Sequence, residues 1–430
     1  MLLVRNLLIA LICAAPLMLL SDSLIVQGLV AGVGAVAVAI SCVTLRSGEA
    51  GFFISIARPL LLVAAIPALW MLLQILPLGI LVHPIWSSAQ AALHHRINGR
   101  ISIDPAMSLI ALGQYLSLTA IAFLTGAIAV DRQRAERILF ALTIAVGIAS
   151  FIVIVHQLLV PGAWLAEGAR TAAIDCASLG TIIAGAACIR ALNRHERAAR
   201  LQSELTEPLT IINCGVSLLI CAAAVALGAT RELLFATGCG LLALAYQLII
   251  RRLGFGLLGT AVLAAPAIWI AVVLVATRPI PHDVSLLLAF AGESAPRSIA
   301  LSQRMLDDTP VVGTGAGTFT ALAPIYREVD DPPADFPAPT TAVAIAIEYG
   351  KPMLWLIVAA TAGLIILLLH ASLQRGRDSL YSAMAGSCLL TLLLICFTNA
   401  GFFKTTPALL IAVTIGLGLA QSKSRKATQP

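Results

Sequence analysis

Three glycines at alternate positions, Gly313, Gly315 and Gly317, stand in the stretch TPVVGTGAGTF that spans 309–319. Glycine admits φ > 0 and lets backbones approach closely. Consecutive amide N–H groups in such a turn can form a nest for an anion. Nucleotide binding is the first chemistry to test. A dinucleotide fingerprint needs G-x-G-x-x-G between a strand and a helix, and a Walker loop needs a Lys after its last glycine. Here the pattern is G-x-G-x-G followed by Thr318, without that Lys and without a βαβ setting. Two readings stay open: a tight turn that seats the preceding helix, or a backbone that touches an anionic ligand directly.

The elements that must position this loop follow from composition. Of 430 residues, 60% are hydrophobic and 11% charged, with mean hydropathy +0.98. A soluble domain carries about 25% charged residues. Spans of about 20 apolar residues cross the hydrocarbon layer, and inside it the backbone must satisfy itself as helix or closed barrel. Continuous apolar runs decide for helices, so the expected fold class is an all-α polytopic membrane protein. We read twelve spans: 6–21, 24–44, 59–81, 107–130, 138–160, 172–191, 208–228, 233–250, 255–277, 347–370, 382–402 and 405–421. Residues 1–277 then hold nine spans with an outer loop at 82–106. A long outer loop covers 278–346, three more spans cover 347–421, and a tail covers 422–430.

The net charge of +6 does not call for nucleic acid. Arg132, Arg134, Arg137, Arg190, Arg194, Arg197, Arg200, Arg251 and Arg252 fall in short loops on one side, the pattern that sets topology, and they put both termini in the cytoplasm. The remaining cations, among them Arg170, Arg231, Arg297, Arg304 and Lys404, fall on the outer side, where topology does not require them. Ionisable groups at membrane edges invite a functional reading. In the long loop, 294–308 (SAPRSIALSQRMLDD) reads as an amphipathic helix. Arg297, Arg304 and Asp308 share one face, and Ile299 and Leu306 are set to rest on the membrane or on the bundle. Pro310 ends it. The nine cysteines show no C-x-x-C pair and no Cys/His cluster with zinc spacing, so no metal site is expected.

The run from Arg297 through Asp308 and the glycine stretch to Phe319, then Tyr326 and Glu348-Tyr349-Gly350, resembles the outer loop of the O-antigen ligase/polymerase family. Its pattern is an Arg about sixteen residues before a P-x-x-G-x-G-x-G-x-F turn, then a segment ending in E-x-G. The stretch 228–238 (GATRELLFATG), with Arg231, is similar to the family's S-x-S-R-G entry to a helix. The stretch 168–180 (GARTAAIDCASLG), with Arg170, is similar to its R…F-x-N-P-N segment. The outer loop at 83–109 resembles the exopolysaccharide-production branch. The resemblance covers about 80–400 and is most specific over 297–319.

The resemblance implies a GT-C-like membrane glycosyltransferase in the bacterial inner membrane. Such an enzyme moves a glycan from undecaprenyl pyrophosphate to an acceptor hydroxyl on the periplasmic face, without a metal or other cofactor. Its partners are the lipid-linked glycan, membrane lipid and other polysaccharide-assembly proteins. The leaving group is a lipid pyrophosphate. Arginine suits it, because a planar guanidinium pairs phosphate oxygens two at a time and keeps its charge. The implied catalytic residues are Arg297, Arg231 and Glu348; Arg170, Arg304, Gly313, Gly315 and Gly317 would bind pyrophosphate or glycan. Other roles stand beside these: Arg231 paired with Glu232, Arg170 reaching lipid headgroups, Arg304 paired with Asp308, Glu348 serving helix packing. The family's acceptor-activating His is replaced here, where the chain reads Pro339-Thr340-Thr341, and N-P-N is replaced by Asp175-Cys176-Ala177. These departures shift the expectation toward the polymerase and exopolysaccharide members. A transporter or flippase, or a non-catalytic assembly subunit, is the alternative.

Overall fold

The computed structural model describes residues 2–44, 47–79, 81–96, 98–158, 165–200, 208–253, 285, 287–291, 296–327, 337–374 and 379–422. Their regular structure is helical. In chain order the helices are α1 (Leu2–Met18), α2 (Leu24–Thr44), α3 (Ser47–Ile75), α4 (Ile85–Leu93), α5 (Pro105–Ile128), α6 (Arg132–Leu158), α7 (Glu167–Arg200), α8 (Pro208–Gly228), α9 (Arg231–Leu253), α10 (Pro296–Asp308), α11 (Phe319–Leu322), α12 (Thr341–Tyr349), α13 (Lys351–Gln374), α14 (Ser379–Thr398) and α15 (Thr405–Ala420). Short 3₁₀ turns cover Ala323–Tyr326 and Gly401–Phe403.

Eight described helices are long and apolar enough to cross a membrane, and Leu2–Met18, Leu60–Ile75 and Thr405–Ala420 are shorter apolar helices. These eleven overlap eleven of the twelve expected spans. The ninth expected span, 255–277, lies outside the described residues. The apolar windows of α7 and α14 are 83% and 72% buried, against 22–28% for α2, α5, α8 and α13. So α7 and α14 form the centre of the bundle, and the other four carry its apolar outer surface. That surface includes Ile25, Leu109, Leu219 and Ile366.

The expected span 347–370 is not one helix. α12 stops at Tyr349, and α13 starts at Lys351. Gly350, at φ +91°, makes the break. A Cβ there would meet the carbonyl oxygen of Val311 at 2.0 Å. Pro352 reinforces it: without an N–H it cannot donate to the carbonyl four residues back, that of Glu348. The last carbonyls of α12 are therefore left for other partners, as helix ends require. At its other end α12 is capped by Thr340, whose hydroxyl accepts from the Val343 amide at 3.1 Å. The outer loop expected at 82–106 contains α4. It leads to Asp104, which caps α5 by accepting from the amides of Ala106 and Met107, with Pro105 at the first helical position.

Two of the three apolar clusters among the described residues hold most of these parts. The larger joins α1, α5, α6, α7, α8, α9, α14 and α15. The smaller gathers Leu301, Met305 and Leu306 of α10 with Phe319, Leu322, Val343, Ile347 and Leu354. In α10 the buried positions are Ser298, Leu301, Ser302, Met305 and Leu306, an i, i+3, i+4, i+7, i+8 stripe. The amphipathic helix thus rests on protein, chiefly on α12 and the 3₁₀ turn after α11.

Candidate functional site

The glycine stretch is a turn wrapped around the end of α12. Gly313, Gly315 and Gly317 have φ of +77°, +112° and +72°, which L side chains rarely adopt. A Cβ on Gly313 would meet the carbonyl oxygen of Glu348 at 2.3 Å, and one on Gly315 would meet Ser102 Oγ at 2.4 Å. The amide of Thr314 donates to the Ile347 carbonyl and that of Gly315 to the Glu348 carbonyl, each at 3.0 Å. These are the carbonyls that Gly350 and Pro352 release.

Other elements meet at the same point. Gln74, at the end of α3, is fully buried and donates to the carbonyls of Val312 (3.0 Å) and Glu348 (2.9 Å). Trp70 Nε1 donates to the Tyr349 carbonyl at 3.0 Å. The Ile103 amide donates to the Thr314 carbonyl, and Ser108 Oγ to the Ala316 carbonyl, both at 2.9 Å. Thr318 Oγ1 closes the turn on the Gly315 carbonyl at 2.6 Å.

The nest is filled from within. The Phe319 amide donates to Glu348 Oε1 at 3.2 Å, and the Gly317 amide also donates to this carboxyl. Glu348 is 6% exposed. Burial pushes its carboxyl up to about 7, although the two amides pull the other way. Of the readings open for the glycines, the geometry carries the seat: the amides of Thr314, Gly315, Gly317 and Phe319 are bonded to α12.

The expected arginines stand at helix starts and on the exposed face of α10. Arg297 is exposed in the first turn of α10. Arg304, half-buried seven residues on, donates from Nε to the Ala300 carbonyl at 3.4 Å. Arg231 is exposed at the first residue of α9, and Arg170 is exposed in the first turn of α7. Asp308, on the same face of α10 as both its arginines, is hydrogen-bonded to Tyr326, whose hydroxyl is pushed up by burial first and by Asp308 second. Asp307 accepts from Gln303 at 3.0 Å. His282, a further candidate for a base on the outer side, lies outside the described residues.

A second polar centre joins residues that the sequence pattern left apart. Asp175, in α7, is 1% exposed and accepts from Asn399 Nδ2 at 2.8 Å. The Asn399 carbonyl takes both the amide and the hydroxyl of Thr341, at 2.9 and 3.0 Å. Asn399 Oδ1 accepts from the Gly401 amide at 3.1 Å. Thr341 and Asp175 are thus linked through one asparagine. Next to it Lys404 pairs with Asp22 at 3.4 Å, and Thr405 Oγ1 donates to Asp22 at 2.6 Å. The signal for Asp175 was present, an acidic residue inside an apolar run. The signal for Asn399 and Gln74 was not, since an amide near a span end is common and its partner lies hundreds of residues away.

These contacts draw the starts of α5, α7, α13 and α15 and the ends of α3, α12 and α14 to one end of the bundle. Among the described residues, no group of three or more His, Cys, Asp or Glu side chains is arranged to hold a metal. No protein-family model matches the chain, and no curated protein is similar to it.

Proposed function

We propose that this chain is an inner-membrane protein of the O-antigen ligase/polymerase type. It transfers or polymerises glycan from undecaprenyl pyrophosphate during assembly of a cell-surface polysaccharide. The observation that carries the reading is the behaviour of 297–319. The segment with the most specific resemblance folds as one unit, with α10, the glycine turn and Glu348 locked together and Arg297 on the exposed face.

In this reading an acceptor hydroxyl attacks the anomeric carbon and gives up its proton to water, the bond from that carbon to the pyrophosphate oxygen breaks, and the lipid pyrophosphate leaves with the electron pair. Arg297 and Arg231 face the developing negative charge, with Arg170 and Arg304 contributing to binding. Fixed charge of this kind is usually the largest single catalytic contribution. Glu348 acts as a positioning residue, because its carboxyl is engaged by the turn. The end of the bundle that carries the glycine turn, Arg170, Arg231 and Arg297 faces the periplasm, and both termini lie in the cytoplasm.

The test uses a deletion strain complemented with Arg297→Ala or Arg231→Ala. Each variant is expected at wild-type level in the membrane with elongation reduced by roughly 10²–10³, the usual effect of losing one preorganised donor. Normal polymer length in both variants would sink the proposal. A transporter has one observation on its side, the buried carboxylate Asp175 within a candidate span. Glycan flux in proteoliposomes without polymer growth would favour it.

A further inference from the structure

At the opposite end of the bundle, α6 starts, α7 finishes and α8 starts. Glu136 there holds three guanidinium groups: Arg190 at 2.7 Å, Arg194 at 3.1 Å and Arg132 at 3.8 Å. The groups run from interior to surface, with side chains 13%, 62% and 44% exposed for Arg190, Arg194 and Arg132. Arg190 lies over the ring of the buried Tyr381, 4.5 Å from its centroid, which fixes the inner guanidinium in the bundle. Over 131–137 and 190–200 the sequence carries seven Arg against three acidic residues.

Beside this cluster is a cleft of about 80 Å³ between α6, α7 and α8. Arg190, Arg194 and Glu136 line it together with Leu139, Phe140 and Cys214. One water needs only ~10–15 Å³ on the same measure, so the cleft takes a larger group. Apolar surface near it is exposed: Phe140 of its lining is 39% exposed, and Leu209 and Ile212 in the first turns of α8 are 70% and 59% exposed. Setting topology requires basic residues in loops. It does not require them gathered into a cleft between three spans.

We propose that this cleft binds the phosphate headgroup of an anionic phospholipid, with the acyl chains lying along α6 and α8. Phosphate oxygens meet the guanidinium forks two at a time, and basic pockets between spans are the expected form of such a site. The full-length protein, purified in mild detergent, is examined by native mass spectrometry against phosphatidylglycerol, cardiolipin and phosphatidylcholine, and by melting with inorganic phosphate alone. The anionic lipids are expected to be retained over phosphatidylcholine. Arg194→Gln, at an exposed position that spares the Tyr381 contact, is expected to weaken retention about fivefold, the effect of one arginine at an anionic surface. Arg96→Gln, an exposed residue at the other end, is expected to leave retention unchanged. Equal retention of phosphatidylcholine overturns the proposal, as does an equal loss in the two variants. Stabilisation by millimolar inorganic phosphate as large as that by lipid overturns the assignment to a lipid.

Discussion

Burial pushes the Glu348 carboxyl up to about 7, against about 4.5 in an open chain. The folded state therefore binds more protons than the unfolded chain between those two values, and stability falls as pH rises through that window. The stabilisation is fully present below pH 4.5 and gone above pH 7, and a shift of this size corresponds to on the order of 3 kcal/mol. Glu348→Gln keeps an oxygen for the amides of Gly317 and Phe319 but cannot ionise. It should melt like wild type at pH 4.5 and above it at pH 8. Glu348→Ala leaves both amides without that acceptor and should melt below Glu348→Gln at every pH, since an orphaned buried donor costs about 1–3 kcal/mol. Melting curves of the three proteins across this range decide the matter; parallel curves for wild type and Glu348→Gln would remove the carboxyl as the titrating group. In glycan synthesis, a positioning role predicts that Glu348→Gln retains activity without the wild-type pH profile, whereas a base predicts its loss.

Among the elements, α12 matters most, a nine-residue helix with a defined start and stop. Thr340→Ala removes the hydroxyl that accepts from Val343 and should lower stability by about 1 kcal/mol. Gly350→Ala should be far more disruptive, because the new Cβ would lie 2.0 Å from the Val311 carbonyl oxygen at a left-handed φ. We expect the first variant to melt a few degrees low and the second to fail to accumulate in the membrane; comparable melting of the two would refute the account of the break. This element also marks how far the sequence could be read. Apolar runs placed eight helices long enough to cross a membrane and three shorter apolar ones, because twenty apolar residues have few other fates, and the seven- and four-residue spacing of α10 placed its charged face. The run through 347–370 hid a break that depends on one glycine, one proline and the loop that receives the freed carbonyls. The glycine pattern was legible as a turn, but its occupant was not. That Glu348 fills the nest depends on packing between segments about thirty residues apart, which no local spacing records.

For the whole molecule, the two ends of the bundle differ in what they carry. One end holds the glycine turn, Glu348, the Asp175–Asn399 contact and the exposed Arg170, Arg231 and Arg297. The other holds the cluster of arginines on Glu136. The basic residues at the second end are what a cytoplasmic face requires, while the proposed lipid-pyrophosphate reaction needs the first end outside. Both arguments demand the same orientation from independent residues, so one experiment bears on each. Val311 in the glycine turn is 74% exposed, and Gln133 at the start of α6 is exposed. Single substitutions Val311→Cys and Gln133→Cys, made where Cys13 and Cys42 (both exposed) are replaced by Ser, give a reporter at each end. In intact cells whose outer barrier admits a charged maleimide, Val311→Cys should label at once. Gln133→Cys should label only after the inner membrane is opened. The reverse pattern would put the arginines in the cytoplasm, away from any periplasmic glycan donor, and would end the glycosyltransferase reading whatever the fate of Arg297.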